Sequence, residues 1–185
     1  LWGQDHVLGC VHNEESVTVV HRDDVIAWAK TWYVPNNSLL VVAGDLDPKQ
    51  LKGELERAFA GWKKAPVPPT PSFKEPGLSG SRIRVVDRPG DHVTQIRIAQ
   101  FGIRHDDPRF FDTLVWNHAF GGSAGSRLAK AIAGKAPSVL GASAAFDRNL
   151  DRGSFVVQAA ARNSDALATA KLLLAQLAKM QREGP

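Results

Sequence analysis

Asn117-His118-Ala119-Phe120-Gly121-Gly122-Ser123-Ala124-Gly125-Ser126-Arg127-Leu128 joins two helical patterns through a run of small residues. Asp107-Pro108 opens the first pattern, and Phe110, Phe111, Leu114, Val115, His118 and Ala119 follow at steps of three and four. Gly121 and Gly122 end it, because glycine takes the positive φ of a helix stop without a steric penalty. Ser123 is expected to cap the second helix, whose apolar face is Leu128, Ala131 and Ile132. The stretch reads as a helix-Gly-Gly-helix corner, where small side chains let helices and a sheet come close. On its residues alone, its role is packing.

Strand patterns flank the corner. Arg82–Val86 alternates polar and apolar residues, and Val93–Phe101 does so again, with Ile96 and Ile98 inward and Phe101 a further inward candidate. Arg88-Pro89-Gly90-Asp91 between them has turn chemistry. After the corner come a small-residue strand over 138–146, a polar turn over 147–152 and a returning strand over 154–161. Asn163-Ser164 caps a long last helix with Leu167, Lys171, Leu174, Leu177 and Ala178 along one stripe. Helices segregated on a mostly antiparallel sheet make an α+β, two-layer helix/sheet sandwich.

Towards the N-terminus the chain changes character. Residues 1–18 read as an irregular lead-in. A helix begins near His21-Arg22-Asp23-Asp24, where early acidic residues suit the positive end of the helix dipole. Val25, Ile26, Trp28, Ala29 and Trp32 give it an apolar face, and Pro35 ends it. Ser38–Ala43 is a continuous apolar run of strand length, expected as a covered central strand. Asp47-Pro48 starts the next helix, with Leu51, Leu55, Ala58, Phe59 and Trp62 at helical spacing. Gly44 lacks the second glycine and the lysine of a phosphate loop. Lys63-Lys64-Ala65-Pro66-Val67-Pro68-Pro69-Thr70-Pro71 then reads as a semi-rigid linker rather than a polyproline ligand, because a new set of elements follows it. The expected organisation is the C-terminal part of a first α+β unit, itself part of a preceding α/β arrangement, over 1–62, a linker over 63–80, and a second α+β unit over 81–185.

Bulk properties exclude several classes. The 185 residues are 43% apolar and 23% charged, as in a soluble globular protein. The net charge of +4 is interspersed and forms no like-charge run, so nucleic acid is not an expected partner. No apolar stretch is long enough to span a bilayer. Residues 1–20 lack a signal-peptide pattern, and the chain starts on Leu1 rather than Met, as expected of a processed or excised piece. Cys10 stands alone, which excludes an internal disulfide and a cysteine metal cluster; it reads as a small buried apolar residue.

Asp-Asp-Pro at 106–108, Trp116-Asn117-His118-Ala119-Phe120-Gly121-Gly122 and Ser126-Arg127-Leu128 resemble the second-half pattern of the insulinase/pitrilysin-like zinc metallopeptidases, inverzincins of processing-peptidase type. The resemblance extends through Tyr33-x-Pro35-x-Asn37, Val41-Val42-Ala43-Gly44-Asp45, Asp87-Arg88-Pro89-Gly90 and Gly153-x-Phe155, so it covers nearly the whole chain. It implies the C-terminal, non-zinc region of such a peptidase or of its inactive partner subunit, enclosing an extended peptide together with a zinc-bearing half. The alternative reading is an assembly module that has lost peptidase function. Resemblance to bacterial relatives favours a periplasmic over a cytoplasmic location.

In that family an H-x-x-E-H helix and a distant glutamate bind zinc. None of the six histidines (His6, His12, His21, His92, His105, His118) starts or ends this motif. The expectation is therefore no cofactor in this chain, zinc being held only by a missing segment or a partner half. Second halves of the family also carry an arginine and a tyrosine that hold the substrate backbone. The resemblance places these at Ala133 and Leu140, neither of which donates a hydrogen bond. Gly141 is retained, while Gly134-Lys135-Ala136-Pro137-Ser138 departs from the pattern. The resemblance assigns Gly121, Gly122, Ser126, Arg127 and Leu128 to structure, and no catalytic residue is expected. A serine hydrolase built from Ser123 or Ser126 with His118 and Asp112 is not supported, because His118 and Asp112 point in different directions on a helix and no nucleophile elbow is present.

Overall fold

The structure is a computed structural model that describes residues 1–77, 79–133, 139–149 and 151–184. Contacts gather the chain into two compact units, Trp2–Pro76 and Gly77–Pro185.

The N-terminal unit is helical, and Cys10, expected to be buried, is exposed in it. The expected irregular lead-in contains a short helix, α1 (Glu14–Thr18), because Asn13 and Ser16 form a reciprocal capping pair. Ser16 N–H donates to Asn13 Oδ1 at 2.8 Å and Asn13 N–H to Ser16 Oγ at 2.9 Å, which satisfies two backbone donors of the first turn. In α2 (Arg22–Trp32) the Asp24 carboxylate accepts from His21 N–H at 2.8 Å. In α3 (Pro48–Ala58) the Asp47 carboxylate accepts from Lys49 N–H at 2.8 Å, with Pro48 in the first turn as expected. Asn36 exchanges two hydrogen bonds with the backbone of Ala65, and Trp62 donates its indole N–H to Tyr33 O at 3.3 Å, so the start of the proline tract is tied to the end of α2.

The strand expected over Ser38–Ala43 does not form. Leu39 is 89% exposed, and no strand lies beside this run among the described residues. A strand is a product of cross-strand hydrogen bonds, and apolar composition alone does not supply them.

The C-terminal unit is α+β. Val93–Phe101 (β1), Val139–Phe146 (β2) and Ser154–Arg162 (β3) form one antiparallel sheet in the order β1-β3-β2. The register pairs Ile98 with Val157 and Ala144 with Val157, so one face of the sheet carries Ile96, Ile98, Ala142, Ala144, Phe155, Val157 and Ala159. Phe101 falls on the opposite face by the two-residue period, where Arg152 lies 4.9 Å above its ring; it is not a member of the core. The helices α4 (Phe110–Phe120), α5 (Arg127–Ile132) and α6 (Ala166–Glu183) contribute Phe120, Leu128, Leu173 and Met180 to that core.

The strand expected over Arg82–Val86 is also not formed, and Ile83 is 93% exposed. The turn that follows is present: Asp91 N–H donates to Arg88 O at 3.2 Å and Gly90 takes φ +93°. Two helix faces differ from expectation. On α4, Trp116 and Phe120 face the sheet, while Phe111 (75% exposed) and Val115 face away. On α6 the covered stripe is Thr169, Leu173, Leu177 and Met180, with Leu167 and Leu174 exposed. Asn163 and Ser164 belong to a 3-10 turn, Asn163–Asp165, ahead of α6. There Asn163 donates to Asp91 O at 2.7 Å and accepts from Thr94 Oγ1 at 2.8 Å.

Candidate functional site

The corner between α4 and α5 is built on close approach. Gly121 and Gly122 both donate their N–H to Asn117 O, at 2.9 and 2.7 Å, which closes α4. Gly121 has φ −153°, so the left-handed stop expected at this glycine is absent. Space decides the residue instead: a Cβ on Gly121 would lie 2.7 Å from the Ala144 Cβ. Ser126 is the cap of α5, its Oγ accepting from Ala129 N–H at 3.3 Å, and it is buried. Ser123, the expected cap, instead donates its hydroxyl to His118 O at 3.1 Å. Leu128 is fully buried against the sheet. Arg127 Nη1 stands 4.0 Å from Glu183 Oε2, an ion pair at the limit of contact between α5 and the end of α6. That nitrogen and Asn117 Oδ1 are buried without a hydrogen-bond partner among the described residues.

Of the two positions that would face a substrate by resemblance, Ala133 is the exposed C-terminal cap of α5. Leu140 is 63% exposed at an irregularity of β2 between Val139 and Gly141. Residues 134–138 between them lie outside the described residues. His118 and Asp112 are exposed on α4, Ser126 is committed to its cap and Ser123 to the His118 carbonyl, so these side chains do not assemble a nucleophile, base and orienter.

Beside the corner a cavity of about 340 Å³ opens between α4, α6 and the sheet, lined by Trp116, Phe146, Phe155 and Leu177 with Gln100 and Gln181 among its polar groups. Trp116 stacks on Phe120 with centroids 5.1 Å apart and meets Phe155 edge-on at 5.6 Å. No ionisable side chain lines the cavity, so it offers apolar contact and amide hydrogen bonds but no acid or base. Perturbed ionisation lies elsewhere, in the loop before α4. There the Arg109 side chain and its backbone N–H bond the Asp107 carboxylate and hold its pKa down to about 2. Arg104 lowers Asp106 in the same way.

Among the described residues no three His, Cys, Asp or Glu side chains gather where they would hold a metal ion. The described residues therefore offer no donor set that fits a zinc ion. No described helix is long and apolar enough to cross a membrane.

The family model for the peptidase M16 inactive domain matches residues 20–185. The chain belongs to that family. This M16 inactive domain is similar in fold to the peptidase M16 inactive domain from Pseudomonas fluorescens, with a TM-score of 0.79 and 23% identity over 93% of this chain. It is also similar to a protease from Helicobacter pylori, with a TM-score of 0.84 and 20% identity over 94% of this chain. It spans 41% and 42% of those two chains. No curated protein is matched. The chain is thus a non-catalytic, peptidase-homologous C-terminal region of insulinase/pitrilysin type, and the inactive-domain family assigns it no catalytic zinc.

Proposed function

We propose that this domain is one wall of a peptide-enclosing chamber, working with a zinc-bearing half or subunit of the same family. The observation that carries the reading is the inactive-domain match over 20–185, which supports a chain that shapes a cavity while the metal chemistry lies in another half. In this reading residues 1–62 close a first unit, 63–80 link, and 81–185 form the second unit. The test mixes the purified chain with a zinc-bearing half of the family and follows hydrolysis of a quenched peptide. Cleavage is expected only in the mixture and only without chelator; chelator-sensitive cleavage by these 185 residues alone overturns the reading.

A second reading, an assembly module without substrate contact, is favoured by Ala133 and Leu140, which carry no hydrogen-bonding side chain. Restoring Ala133→Arg and Leu140→Tyr separates the two. A gain in peptide affinity or turnover in the mixture supports the chamber wall, and unchanged kinetics support the assembly role. We place the parent protein in the periplasm, as resemblance to bacterial relatives favours; recovery in the cytoplasmic fraction overturns that placement.

A further inference from the structure

We propose that the face of the β1-β3-β2 sheet turned away from the helices is a docking surface for an acidic, extended peptide segment, gripped by Arg97 and Arg162. The proposal rests on the peptide-enclosing reading above and names the chemistry that it selects. The sheet register sets Phe155, Val157 and Ala159 against the helices, so Val156, Gln158, Ala160 and Arg162 of the central strand point to the other side. Arg97 lies opposite Gln158, and Ser143 lies opposite Gln158 on its other flank. These three residues form one row across all three strands.

Three features make the row a carboxylate site. The strands carry two charges in all, Arg97 and Arg162, both positive and both on this face. Neither is paired with a carboxylate among the described residues. Gln158 Nε2 donates to Ser143 Oγ at 3.2 Å, which leaves the Ser143 hydroxyl hydrogen and the Arg97 guanidinium as outward donors. The neighbouring row, Ala99, Val156 and Ala145, is small enough for a peptide backbone to approach the sheet. A guanidinium with free donors donates two parallel hydrogen bonds to a carboxylate, so charge complementarity selects an acidic partner.

Fluorescence anisotropy of the full chain with a short fluorescein-labelled peptide alternating Glu and Ala, against Lys-Ala and Ser-Ala counterparts, tests this. The Glu-Ala peptide is expected to bind about tenfold tighter than Ser-Ala, on the scale of one charge-assisted hydrogen bond, and to weaken as salt rises. Arg97→Gln and Arg162→Gln together are expected to abolish the preference with circular dichroism unchanged. Arg88→Gln, whose arginine pairs with Asp91 in the turn, is expected to preserve it. Equal binding of the three peptides, or a preference untouched by the arginine substitutions, overturns the docking surface while peptide enclosure stands. No binding of any peptide overturns both.

Discussion

Gly121 and Ala144 touch through their backbones: Ala144 N–H donates to Gly121 O at 3.0 Å, and a Cβ on Gly121 would meet the Ala144 Cβ at 2.7 Å. The contact joins the end of α4 to the middle of β2. Gly121→Ala is therefore expected to force the helix off the sheet and to destabilise by about 1–3 kcal/mol, the range for overpacking a close-fitted core. Gly125→Ala is the control, because nothing lies within 4 Å of a Cβ at Gly125. Urea unfolding of the two variants measures the difference; equal midpoints would remove the packing account of the corner.

The two serines of the corner differ in what their loss costs. Ser126 caps α5 from a buried position, so Ser126→Ala is expected to cost about 1 kcal/mol, as for other lost N-caps. Ser123 donates only to the His118 carbonyl, and Ser123→Ala is expected to change stability by less than about 0.5 kcal/mol, as at ordinary surface positions. Thermal unfolding of both variants ranks them, and a larger loss for Ser123→Ala would contradict the assignment of the cap.

These contrasts mark where sequence reasoning stops. Asp47-Pro48 announced its helix because a cap and a first-turn proline are local chemistry. The face of α4 was not legible, because Phe110-Phe111-Asp112-Thr113-Leu114-Val115-Trp116 offers apolar residues in several directions. Trp116 and Phe120 win through stacking on each other and meeting Phe155, a partner remote in sequence. Leu39–Val42 and Ile83–Val86 have strand composition, but pairing is a property of neighbours. Gly121 reads in sequence as a helix stop needing positive φ, whereas its φ is −153° and its close contact is with Ala144, which approaches from another element. The Arg97–Gln158–Ser143 row carried no signal in sequence, as it exists only once three strands are in register.

The α6 stripe gives a direct test of the face now seen. Leu173 is fully buried against the sheet and its neighbour Leu174 is 54% exposed. Leu173→Ala is expected to cost about 2–5 kcal/mol through lost burial and a residual cavity. Leu174→Ala is expected to stay within about 0.5 kcal/mol of the parent. Urea midpoints with unchanged slopes check both, and the reverse order would return the core stripe to Leu167, Leu174 and Ala178.

Asp107 contributes to the acid end of the stability profile. Its carboxylate takes the Arg109 side chain at 2.8 Å and the Arg109 backbone N–H at 2.9 Å. The side-chain bond is the larger cause of a folded pKa near 2, below the ordinary 3.8. A lowered folded pKa means the unfolded chain binds the proton first, so this contribution is complete above about pH 4 and disappears as pH falls toward 2. The Asp107 carboxyl resonance is expected to titrate near 2 in the parent chain. In Arg109→Gln the backbone N–H remains, so the midpoint is expected to rise only part of the way toward 3.8, and the loss of stability below pH 4 becomes shallower. A parent midpoint already at 3.8 would show that the Arg109 contact is not held in solution.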